Sequence, residues 1–185
     1  MSLVLGWTDG IIGYIASDGR AGGDEPSENY NKTRKVNENI ILGFVGMKSQ
    51  AEYFLNCVYE SLGDDVKNCY IEDFMEPLEY GISLPVTKEK LRSTFLIIGK
   101  SKSKEIKYIL VGNATNYLVK YLDPFQKRLF PIGGTIEKDK ILDICEKHSL
   151  LFKGNVKETM KNIIYEVSDI DNSINKNVYY QEITS

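Results

Sequence analysis

Ser2, Asp18 and a basic trio at Lys32, Arg34 and Lys35 are the residues of this chain whose types and spacing suit covalent chemistry. A serine placed directly behind Met1 would offer, once that methionine is removed, a hydroxyl nucleophile and a free α-amine on one residue. An α-amine with an ordinary pKa of about 7.7 to 8.0 is partly neutral near pH 7 and accepts a hydroxyl proton without help from a histidine. A nearby ammonium lowers the pKa of both groups, and a carboxylate holds that ammonium charged and aimed. Lys35 is read as the ammonium and Asp18 as the carboxylate. With Met1 retained, the same amine is an amide and the base is lost.

Positioning these groups falls to a hairpin. Leu3 to Trp7 and Ile11 to Ala16 are apolar, β-rich runs joined by Thr8-Asp9-Gly10, a strong hairpin signal. The antiparallel return places Ser17 and Asp18 beside Ser2. Gly22 to Ser27 has the turn chemistry for a loop that brings Lys35 back.

At these residues the chain resembles the proteasome β-subunits and HslV-type peptidases of the N-terminal nucleophile hydrolase superfamily. Ser2, Asp18-Gly19-Arg20-Ala21, Lys35-Val36 and Leu42-Gly43-Phe44-Val45-Gly46 match the family's opening in order, and Phe130 to Gly134 is similar to its later glycine-rich turn. The resemblance implies Ser2 as nucleophile, its α-amine as base, Asp18 and Lys35 as tuning groups, and the Gly46 backbone N–H as oxyanion donor. It also implies that Ala21-Gly22-Gly23 lines a cleft binding extended peptide by strand addition. Two departures stand out: the family's supporting serine falls on Gly134, and Met47 replaces the second glycine of its Ala-Gly-Gly turn. Near the C-terminus Asp169, Asp171 and Ser173 compete for the family's supporting aspartate and serine.

Further elements extend the reading. Ser49 is expected to cap a helix running to Leu62, with Ala51, Phe54, Leu55, Val58 and Leu62 facing the core. A short helical stretch is placed within Ile71 to Tyr80. Ser93 to Gly99 and Ile106 to Gly112 read as paired strands, continued by Tyr117 to Leu122. Helices follow over Ile136 to Lys147, from the spacing of Ile141, Leu142, Ile144 and Cys145, and over Val156 to Val167, with Met160, Ile163, Ile164 and Val167 on one face, before a last strand at Asn177 to Ile183. The pattern indicates α+β. The resemblance sharpens it to one domain over residues 1–185, a four-layer αββα sandwich of two stacked, mainly antiparallel sheets with helices outside.

Composition excludes other classes. The 185 residues are 42% hydrophobic and 26% charged with a net charge of -3, which gives no electrostatic case for nucleic acid or anionic membrane. No apolar run approaches the roughly 18 residues of a membrane-spanning helix and no secretory leader is evident, so a cytoplasmic location is expected. Cys57, Cys69 and Cys145 lack Cys-x-x-Cys spacing and read as reduced thiols, with Cys57 and Cys145 on the apolar faces of helices. His148, the single histidine, is expected on an exposed helix end, which argues against a Ser-His-Asp site and a histidine zinc site. No cofactor or metal is expected. The leading reading is an amide hydrolase forming an acyl-enzyme on Ser2, with a peptide or small amide as substrate. A ring-shaped homo-oligomer is implied by the resemblance, and an ATPase partner is left open. The alternative is a catalytically silent structural or interaction subunit of the same fold.

Overall fold

The computed structural model describes residues 2–22, 26–84, 92–122, 129–135, 137–150 and 154–185. Gly23, Ile136 and Met1 lie outside them. Among the described residues, strands β1 (Leu3–Thr8), β2 (Ile12–Asp18), β8 (Phe130–Gly133) and β9 (Val178–Thr184) form a sheet in the order β8-β1-β2-β9. A second sheet, ordered β3-β4-β5-β6-β7, holds β3 (Thr33–Lys35), β4 (Ile40–Val45), β5 (Thr94–Lys100), β6 (Ile106–Gly112) and β7 (Lys120–Leu122). Every pairing between these strands is antiparallel.

Strand alternation builds the layers. Leu3, Leu5 and Ala16 point outward to helices α3 (Lys138–Leu150) and α4 (Val156–Ser168), whereas Val4 and Ile15 point inward to Ile41, Leu96 and Ile98 of the other sheet. On the far side, Ile40, Leu42, Phe44, Phe95 and Ile97 pack against α1 (Lys48–Leu62) and α2 (Met75–Ser83). Both faces of each sheet are therefore covered, which is the αββα sandwich. Full burial of each large aliphatic or aromatic side chain is worth about 1.5–3 kcal/mol, so three such layers supply the main stabilising term.

Helix ends follow local chemistry. The α1 helix buries Ala51, Phe54, Leu55 and Val58 and stops at Gly63, whose φ of 57° is in the left-handed region. Ser49 lies inside its first turn; Met47 occupies the cap position and makes no side-chain cap bond. At α4 the Asn155 side chain accepts from Glu158 N–H at 3.1 Å, and Val156, Met160, Ile163, Ile164 and Val167 form the buried stripe.

Several boundaries differ from expectation. A 3₁₀ turn at Asn113–Thr115 and left-handed Asn116 and Tyr117 delay β7 until Lys120. The helix after Ile71 begins only at Met75, past a turn in which Tyr70 N–H donates to Asp73. Leu142 is exposed because the α3 core stripe is carried by Ile141, Ile144 and Cys145. His148 is largely covered, its Nε2 lying 2.8 Å from Glu166 with the side chain only 15% exposed.

Candidate functional site

The hairpin register carries the first pair of site residues together. Val4 stands opposite Ser17, so the next step along each strand brings Leu3 N–H to Asp18, donating to Oδ1 at 2.9 Å. The Ser2 hydroxyl donates to the Arg20 carbonyl at 3.3 Å. Arg20 N–H in turn donates to Asp18 Oδ2 at 2.9 Å, so the carboxylate is gripped by backbone on both oxygens.

The lysine at this carboxylate is Lys32. Its Nζ donates to Asp18 Oδ1 at 2.7 Å and to the Asp18 carbonyl at 3.1 Å. Both side chains are buried, 2% and 0% exposed. Burial pulls the Lys32 ammonium below its ordinary pKa, and the Asp18 charge and hydrogen bond offset this only in part. Lys35 is not brought to the site, a correction to the reading of the basic trio. It lies on the outer side of β3, its Nζ 2.7 Å from Glu38, and is 40% exposed. The two lysines are separated by three positions, an odd step that exchanges faces in extended chain. Arg34, between them, lies over the Tyr30 and Phe44 rings and donates to the Tyr30 hydroxyl.

On the opposite flank of β1, Gly134 N–H donates to the Ser2 carbonyl at 2.9 Å. Gly133 lies against the same oxygen with φ of 97°, and a Cβ there would overlap it, so the close approach requires glycine. Asp171 is the aspartate that braces this turn. It accepts from Thr135 N–H and Oγ1–H, both at 2.6 Å, and from Ser173 N–H at 2.9 Å and Oγ–H at 2.6 Å. Burial pushes its carboxyl up, but these four bonds more than offset that and hold it well below the carboxylate range. Asp169 instead pairs with Lys176 on the surface at 2.6 Å. Thr135 went unnoticed in the sequence, its one signal being a hydroxyl next to the glycine turn.

Gly46 follows β4 with φ of 115°, and a Cβ there would overlap the backbone of Arg92 and Ser93. It shares the wall of a cavity of about 390 Å³ with Gly133 and Gly134. Ala21 departs from expectation: its N–H donates to Ser27 at 2.7 Å and its carbonyl accepts from Ser27 at 2.9 Å. The Ala21 main chain is thereby already paired, which closes that position to strand addition by a peptide. Arg20, Asn175 and Asn177 also bind Glu28, tying this loop to the segment before β9.

A larger cavity of about 680 Å³ lies outside, on the α1 and α2 surface. Its Glu72 and Asp73 are paired with Lys107 and Lys102, and it contains no element of the Ser2 cluster. Among the described residues no cluster of His, Cys, Asp and Glu has the makings of a metal site, and no helix is long and apolar enough to cross a membrane.

No family model matches the sequence. No curated protein matches it either. The fold, however, is that of eukaryotic HslV from Trypanosoma brucei, whose crystal structure superposes with a TM-score of 0.70 over 99% of each chain at 10% sequence identity.

Proposed function

We propose that this protein is an N-terminal nucleophile amide hydrolase in which Ser2, freed of Met1, attacks the carbonyl carbon of a peptide or small amide. The observation that carries the reading is the buried Lys32–Asp18 pair, its carboxylate held by the backbone N–H groups of Arg20 and of Leu3, the residue after Ser2. A lysine made less basic by burial is a neighbour that shares protons with a hydroxyl and an amine more readily than an exposed one does. The Ser2 α-amine takes the hydroxyl proton, Asp18 aims Lys32, and the Gly46 N–H faces the developing oxyanion, a contact of a kind worth about 2.7–4 kcal/mol in the transition state. Water then hydrolyses the ester. By likeness to HslV we further propose a ring-shaped homo-oligomer, checked by light scattering in solution.

The test is the intact mass of Met1-free protein before and after a peptide epoxyketone. A single adduct, absent in Ser2→Ala and in Lys32→Met with unchanged circular dichroism, is the expected result. An equal adduct in Lys32→Met would remove the lysine from the mechanism. A second reading, the silent subunit of the same fold, is favoured by the shielding of Ser2, which is 3% exposed with its hydroxyl turned to the Arg20 carbonyl. It predicts no adduct on wild-type protein from which Met1 has been removed.

A further inference from the structure

The sheet order puts β1 between β2 and β8, so Ser2 has two unlike flanks. On the β2 side, space is taken by the Lys32–Asp18 pair and by Ala21 bonded to Ser27. On the β8 side lies the cavity of about 390 Å³ that includes Gly46 and the Gly133–Gly134 turn abutting the Ser2 carbonyl. Its walls are apolar, with Leu110, Phe130, Ile132 and Ile141. Arg92 and Lys138 join them, and no carboxylate lines the cavity among the described residues. Neither cation pairs with a carboxylate elsewhere among those residues, and both are exposed. The size is that of a site for one small molecule or one large amino-acid residue.

We propose that this cavity holds the leaving group of the reaction, and that the leaving group is an α-amino acid with a large apolar side chain and a free carboxylate. The assignment rests on Ser2 being the nucleophile. An amino acid released from a chain end carries its carboxylate one carbon from the scissile nitrogen. Apolar walls and two cations without a carboxylate partner among the described residues, beside the proposed oxyanion donor, match that combination, as they match neither a cationic side chain nor an internal peptide segment. In the step itself, the Ser2 oxygen bonds to the acyl carbon and the carbon–nitrogen bond breaks. The nitrogen takes the hydroxyl proton by way of the Ser2 amine and departs as the free amino acid. Water cleaves the ester, releases the acid and restores the hydroxyl. The chemistry is removal of an apolar carboxyl-terminal residue.

Binding and turnover are measured separately. In the full chain, L-phenylalanine should shift the amide resonances of Gly46, Gly133 and Gly134, and should bind about tenfold more tightly than L-phenylalaninamide. The double variant Arg92→Ala/Lys138→Ala, altered only at exposed positions, should lose that preference. With Met1 removed, N-acetylglycyl-L-phenylalanine should be cleaved with a kcat/KM about tenfold above that of its carboxamide, and the double variant should level the two. Equal binding of acid and amide, or resonance shifts elsewhere, overturns the pocket assignment. Selective binding of phenylalanine without turnover of either substrate keeps the pocket as an apolar carboxylate site and removes the nucleophile reading.

Discussion

Lys32 and Lys35 sit three residues apart, and each is 2.7 Å from a carboxylate, yet the two ion pairs differ in almost every other respect. Lys35–Glu38 is a local pair at the end of β3, bathed in water. Lys32–Asp18 joins the end of β2 in one sheet to the segment leading into β3 of the other and is sealed from solvent. The lesson is that charge and sequence neighbourhood do not set what an ion pair is worth; the dielectric around it does. An exposed pair has a median worth of about 0–1 kcal/mol, whereas removing one partner of a buried pair leaves a desolvated charge and costs about 3–5 kcal/mol.

Substitutions can break that comparison. Asp18→Ala should have the largest effect, about 3–5 kcal/mol lost in urea denaturation, because it strands Lys32 and also two backbone N–H groups. Adding Lys32→Met should recover part of the loss; a double variant as unstable as the single one would mean that the buried charge is not the cause. Lys32→Met alone should cost less than Asp18→Ala, since Asp18 keeps its donors from Leu3 and Arg20.

Asp171→Asn comes next, with about 1–3 kcal/mol lost near neutral pH from a cage left partly unsatisfied. The folded Asp171 carboxyl has a lowered pKa, so its contribution is fully present above the unfolded value of about 3.9 and drains away as pH falls below it. The gap between wild type and Asp171→Asn should therefore narrow in acid. A gap independent of pH would mean that the charged form is not what the four bonds favour. Lys35→Ala should have the smallest effect, within about 0.5 kcal/mol and without change in epoxyketone labelling. Loss of labelling in that variant would reverse the comparison.

The legibility of the sequence was uneven for physical reasons. Hairpin chemistry at Thr8-Asp9-Gly10 and the apolar alternation of β1 and β2 led directly to Asp18 beside Ser2, because register is local. The layers were equally readable in the stripes of α1 and α4. Choosing among Lys32, Arg34 and Lys35 required knowing where extended chain begins, and an error of one residue there exchanges faces. The Thr135–Asp171 contact spans 36 positions and joins a turn to a loop, so no periodicity announces it. Leu142 stands one step from Ile141, where about 100° of rotation separates core from solvent, and Ser49 lies two positions past the cap residue Met47.

The pairing of β2 with β9 sets Ile12 against Thr184 and Asp18 against Val178. The strand bearing Asp18 thus obtains its second neighbour from residues about 160 positions later in the chain. A nascent chain on the ribosome has its hairpin early, but the sheet around Ser2, and the Asp171 brace with it, waits for these later residues. Delayed completion of this kind would leave the surroundings of Ser2 unassembled until β9 has been translated.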